Sequence, residues 1–138
     1  SDTGVMNTWP VQDSNGLWRI NLAVIPVGPS KKAVLSMDYN MWIHESGGEN
    51  DAIKGSDLWQ ADFNEVKDAY MNYFNKNYNG SRAPIVIGNH FSNMNDWVYW
   101  EAMKSFAEDV CGKPYVQCTT FKEFVNYLNK TGAPPIIK

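Results

Sequence analysis

Two polar residues stand where apolar runs stop. Asp38 ends "AVLSMD" at residues 33–38, and His90 follows "IVIGN" at residues 85–89. If these runs are neighbouring parallel strands, both side chains emerge at one edge of a sheet, where α/β proteins build their sites. A carboxylate beside an imidazole holds the ring in one tautomer and favours its protonated form, which suits a general acid near neutral pH. Tyr39, Asn40 and Trp42 follow Asp38 directly, and Trp42 is placed to wall a small acyl or sugar pocket. The competing reading is local: Asp38 caps a turn and His90 bonds to backbone. His44, in "WIHESGG", reads as a surface or locally hydrogen-bonded residue.

Other chemistries lack their parts. The two histidines have no HxxxH or HxxEH spacing, so no complete metal site is legible. There is no glycine-rich phosphate loop and no G-x-S-x-G elbow.

The elements that must position these residues follow from pattern. Residues 1–16 read as loop. Residues 17–27, "LWRINLAVIPV", are β-rich but hold a proline, as an edge or bulged strand does. "GPSKK" is a turn, 33–38 a short buried strand, and "ESGGENDAIKGS" a polar loop. Residues 57–78 predict a helix capped by Ser56, with Leu58, Trp59, Phe63, Val66, Tyr70, Tyr73 and Phe74 on one face. Gly80 and Pro84 stop it. Residues 85–89 do not alternate, as in a strand buried on both faces. Residues 95–110 predict a helix that buries Trp97, Trp100, Met103 and Phe106. "YVQCT" reads as a strand, Thr120 and Glu123 as the capping box of a last helix, and Pro134 and Pro135 as its end. From residue 33 the order is strand and helix in alternation, which predicts an α/β parallel sheet with helical crossovers. Three such units are too few to close a barrel.

With 138 residues, 43% of them hydrophobic, the chain can build one domain with a core. A net charge of -3 gives no basic footprint for nucleic acid, and no apolar run approaches the roughly 20 residues of a membrane span. The opening "SDTGVMNTWP" reads as the interior of a longer protein, so a mature or cleaved fragment is expected. Aromatic residues make up 14%, enough for a packed core or for a surface whose flat rings stack on sugars. Cys111 and Cys118, in "CGKPYVQC", are too far apart for a CxxC motif, and the Gly and Pro between them allow a small closed loop. A disulfide there implies an oxidising compartment; the alternative is two separate buried thiols. The sequons at Asn79 and Asn129 add weak support for secretion.

The segments "RAPIVIGNHFSNMNDWVYWEAMKSFAEDV" and "VQCTTFKEFVNYL" resemble the C-terminal part of the polysaccharide deacetylases, carbohydrate esterase family four. "VLSMDYNMW" resembles the strand before them in bacterial members, and "SDTGVMNTWP" the stretch after that family's Arg-x-Pro-Tyr motif. The resemblance covers nearly the whole chain. It implies that residues 1–138 are the C-terminal portion of one catalytic domain, a distorted (β/α) barrel. It implies removal of N-acetyl groups from N-acetylglucosamine units of chitin or peptidoglycan. The family's divalent metal, usually zinc, and its catalytic base come from motifs that nothing here matches, so both are expected upstream of this chain. His90 matches the histidine that protonates the leaving amine. The family spells this motif Leu-x-His, whereas Gly88 stands two before His90 here, and Ile87 is taken as the acetyl-pocket residue. Asp38 and Trp42 fall in the region that supports the catalytic residues and lines that pocket, and Tyr39 and Asn40 are assigned to substrate beside them.

The resemblance thus implies a secreted, periplasmic or cell-envelope protein whose partners are glycan and the N-terminal part of its own domain. A partial barrel exposes a sheet edge and an apolar face, so order is expected only when it is docked or self-associated. The rival reading is a noncatalytic glycan-binding module using Trp42 or Trp97, and a third is a plain structural domain.

Overall fold

The computed structural model describes residues 6–132. The first residues of the expected opening loop and the Pro134–Pro135 stop lie outside them.

The described residues form a mixed α/β structure of two small antiparallel sheets and four helices. Strands β1 (Val11–Gln12) and β2 (Trp18–Arg19) pair as one ribbon. Strands β3 (Val24–Val27) and β4 (Lys32–Leu35) pair as the other, with Val27 opposite Lys32. The single strand expected over 17–27 is therefore divided. The strand expected over 33–38 joins an antiparallel hairpin, because residues 28–31 are too short for the crossover that parallel pairing needs. Gly28 and Lys31 turn this hairpin with φ of 71° and 52°. Pro26 sits on a strand that is paired on one side only, where a missing N–H costs no ladder bond. Ile25 and Val27 alternate inward from it and are buried.

Parallel pairing survives as one bridge, Met37 to Gly88. Gly88 N–H donates to Ser36 O at 2.9 Å, and Asp38 N–H to Gly88 O at 3.1 Å. The expected strand over 85–89 is otherwise unladdered, and no strand forms at 115–119. A β-propensity becomes a strand only beside another backbone, and the described residues supply too few neighbours.

Helix α1 (Asp38–Ser46) begins at the residue expected to end a strand, runs through 39–44, for which no element was expected, and takes in Glu45 and Ser46, expected to open a loop; Gly47 ends it at φ 68°. Helix α2 (Asp57–Tyr78) has the predicted bounds, and the Ser56 side chain accepts the Trp59 N–H at 3.2 Å. Its buried stripe runs through Trp59, Val66, Ala69, Tyr70, Tyr73 and Phe74, while Leu58 faces solvent. Helix α3 (Val98–Val110) starts three residues later than expected, after Asn95, Asp96 and Trp97 at φ of 50°, 50° and 67°. Val98, Tyr99, Ala102, Phe106 and Val110 form its buried face; Trp97 does not join them and is 41% exposed. The core lies where α2 packs on α3 and on β3.

Helix α4 (Phe121–Thr131) has the predicted capping box: Thr120 Oγ1 accepts from Glu123 N–H at 3.2 Å, and Glu123 Oε2 accepts from Thr120 N–H at 3.0 Å. These N–H and hydroxyl donors hold the Glu123 carboxyl below its usual range. Only Leu128 of this helix is buried, and Phe121 and Tyr127 stand exposed. Cys111 and Cys118 form a disulfide, with Cα atoms 5.5 Å apart. No helix of the described residues is long and apolar enough to cross a membrane.

Candidate functional site

Asp38 and His90 meet. Asp38 is the first residue of α1, and its carboxylate lies at the positive end of the helix backbone. It is buried to 1% exposure and accepts three N–H bonds: Tyr39 N at 2.8 Å, His90 N at 2.7 Å and His90 Nδ1 at 2.6 Å. The sequence alternatives were a dyad or two local caps. The carboxylate does both, binding the backbone of each segment and the imidazole as well.

A carboxylate only accepts, so Nδ1 carries the ring proton and Nε2 is left to exchange one with a docking group. The His90 side chain is 57% exposed and the Asp38 side chain 2%. A buried anion thus fixes an accessible base. This geometry suits general acid–base chemistry at Nε2.

The segments are held together by side chains in place of a ladder. Ser36, fully buried, accepts from Ala23 N–H at 3.1 Å and donates to Val86 O at 2.7 Å. It thereby ties the chain before β3 to the segment that carries His90. Gly88 completes the crossing, since a Cβ there would meet Met37 Cγ at 3.0 Å. That close approach is a physical reason for glycine at this position, whatever residue lines a pocket nearby.

Of the other expected site residues, Tyr39 is half-exposed and packs edge-on against Trp42, with ring centroids 6.1 Å apart. Trp42 Nε1–H donates to Asp51 Oδ1 at 2.6 Å, so its ring is fixed beside the dyad-bearing helix turn. Asn40 is half-buried on the same turn. Ile87 lies apart from these. It lines a groove with Ile85, Phe106, Val116 and Phe124, a wall to which neither His90 nor Trp42 contributes.

A second polar cluster was not expected. Tyr99 Oη donates to Glu45 Oε2 at 2.8 Å, and Asn95 Nδ2 reaches Tyr99 Oη at 3.2 Å and Asp62 Oδ2 at 2.8 Å. Asn95 Oδ1 accepts from Ala52 N–H at 2.6 Å. Burial pushes the Glu45 carboxyl up to about 9, with Asp62 and Glu65 adding in the same direction against the Tyr99 bond. Burial also raises Asp62 and Tyr99. His44 is not a surface residue: its side chain is 16% exposed, and Nε2 lies 3.0 Å from Glu65 Oε1 of α2. The Tyr70 hydroxyl is buried with no hydrogen-bond partner, and burial followed by the Asp38 and Glu45 charges raises it. The one sequence signal for this cluster is Asp62 and Glu65, three apart beside the apolar stripe of α2. Its other members stand on α1, on α3 and in the turn before α3, far apart in sequence. The network explains the left-handed turn at 95–97: Asn95 spends its side chain and backbone N–H on four partners and holds the strain in place.

Neither cluster makes a metal centre. Among the described residues, no three His, Cys, Asp or Glu side chains gather to hold an ion. Both Asp38 oxygens are already engaged by N–H donors, and His44 faces a single carboxylate. The zinc implied by the resemblance has no ligand set among these residues. No family model, no curated protein and no solved structure matches the chain.

Proposed function

We propose that this chain, residues 1–138, is the C-terminal portion of a polysaccharide N-deacetylase domain of the distorted (β/α) barrel type. The observation that carries the reading is the Asp38–His90 pair, bonded at 2.6 Å with the imidazole 57% exposed. In this reading His90 Nε2 delivers a proton to the amine as the acetyl group leaves an N-acetylglucosamine unit. Asp38 holds the tautomer, and Trp42 and Tyr39 wall the side of the site, with Asn40 as a further substrate contact; Ile87, expected at the acetyl pocket, lines the separate groove instead. Zinc or another divalent metal would polarise the amide carbonyl from residues outside this chain.

The partner implied is the N-terminal part of the same domain. Its seat is supported by the apolar groove of about 830 Å³ between residues 83–87 and α4. The backbone groups of Ile85 and Ile87 form no hydrogen bond among the described residues, whereas Val86 and Gly88 are bonded on the other side. That is the pattern of an open sheet edge. The disulfide supports a secreted, periplasmic or cell-envelope location.

The test is acetate release from N-acetylated chitooligosaccharides by the assembled two-part protein. His90→Ala should lower turnover by roughly 10²–10⁴-fold and leave the metal content unchanged. Full activity in this variant would remove His90 from the chemistry. A noncatalytic glycan-binding module is the second reading, favoured by the exposed aromatic rings at Tyr39 and Trp97.

A further inference from the structure

The ring next to the dyad is oddly placed for an apolar side chain. Phe91 is 70% exposed, and its backbone sits at φ 53°, a region that is costly for a bulky residue. Asn89 Oδ1 accepts the Phe91 N–H at 3.0 Å and holds this conformation. Trp100, on the first turn of α3, braces the ring from the side, with centroids 5.0 Å apart and planes 52° apart. The two rings therefore pack as one braced aromatic pair that begins one residue from His90.

The indole nitrogens give the second observation. Of the six tryptophans, Trp9, Trp18, Trp42 and Trp59 each donate Nε1–H to a protein acceptor. Trp97 and Trp100 donate to none among the described residues, and the Trp100 indole nitrogen is not buried without a partner. The exposed Phe91 ring beside the half-buried Trp100, whose indole N–H has no protein acceptor among the described residues, matches a ligand with an apolar face and a rim of hydroxyls. A pyranose has both. A hydrocarbon ligand would leave the donor unused.

We propose that Phe91 and Trp100 form a stacking subsite for one pyranose ring of a neutral glycan, with Trp100 Nε1–H donating to a sugar oxygen. The subsite rests on the glycan reading above and places a neighbouring sugar unit beside His90. It reads the face of the ring, not the acetamide.

The experiment titrates ¹⁵N-labelled chain with N-acetylchitotriose and with cellotriose, following the indole N–H signals. The Trp100 signal is assigned by its loss in Trp100→Phe. It should move saturably with both sugars. Phe91→Ala should weaken binding about 2- to 10-fold, and Phe91→Trp should restore it. Because Phe91 is exposed, the alanine variant keeps its core. An unmoved Trp100 signal, or Phe91→Ala binding as tightly as the parent, overturns the subsite. Acetate release is read separately on the assembled protein: its absence refutes the deacetylase reading and leaves a binding subsite standing.

Discussion

Replacing Asp38 by asparagine tests the dyad without relying on activity. The carboxylate accepts Tyr39 N–H, His90 N–H and His90 Nδ1–H within 2.8 Å, at a site 1% exposed. Asparagine keeps the shape but has one acceptor oxygen, and its NH₂ group must face at least one of those donors. A hydrogen bond to a charged group contributes about 1.5–3 kcal/mol, and a buried donor left unpaired costs about 1–3 kcal/mol. The exposed imidazole can swing to water and recover part of the loss, so roughly 2–4 kcal/mol of destabilisation is expected, or a fall in Tm of about 10 °C. The more specific readout is the tautomer. Long-range ¹H–¹⁵N correlation on the parent should show His90 protonated at Nδ1 when the ring is neutral, and the variant should shift the proton toward Nε2. An unchanged tautomer, or a loss of stability below about 0.5 kcal/mol, would show that the pair does not hold the ring and would sink the proton-donor role with it.

Two further perturbations probe the rest of the frame. Glu45 has its folded value raised to about 9 from 4.5, so between those values the folded state binds a proton that the unfolded chain has released. Its contribution to stability is therefore full at low pH and declines as pH rises toward 9. Glu45→Gln, neutral throughout, should flatten that decline in urea melts taken from pH 5 to 9, and an unaltered slope would assign it to other groups. The disulfide spans a sequence separation of 7, a short loop, and the paired change of Cys111 and Cys118 to serine should cost roughly 2–3 kcal/mol in denaturant midpoint. Thiol titration of the denatured parent without reductant should find no free cysteine.

What the sequence made legible was local. Helix α2 carries its own cap at Ser56 and a long apolar stripe, so its bounds needed no knowledge of the fold. The capping box at Thr120 and Glu123 is likewise written in four consecutive residues. Helix α1 was hidden because Met37 provides no side-chain cap and the apolar residues from Val34 onward read as a continuing strand. Trp97 was misassigned by periodicity alone: it fits the stripe of α3 but precedes its first turn in a left-handed conformation that Asn95 sustains through partners 33 and 43 residues away. Asp38 and His90 could be found because each ends an apolar run. The Glu45 cluster could not, because Glu45, Asp62, Asn95 and Tyr99 become neighbours only after α1, α2 and α3 pack.

The dyad is positioned by fewer backbone bonds than an α/β sheet ordinarily supplies, and this decides where the site is fragile. One parallel bridge joins the segment before α1 to the segment before His90. Ser36 adds a second tie by using its hydroxyl as both donor and acceptor in a fully buried position. Asp38 adds the third, through His90 N–H. These contacts come from consecutive residues 36–38, so the backbone of His90 is fixed over that short length. Beyond it, the backbone groups of Ile85 and Ile87 on the opposite edge form no hydrogen bond among the described residues, and their side chains line the groove that α4 borders. The side of the segment that faces Asp38 is therefore built to hold geometry, and the side that faces the groove is built to be completed. A strand laid along Ile85 and Ile87 would pair their backbone groups and confine the segment from both sides. The imidazole would then be held to the tolerance that proton transfer to a bound substrate requires.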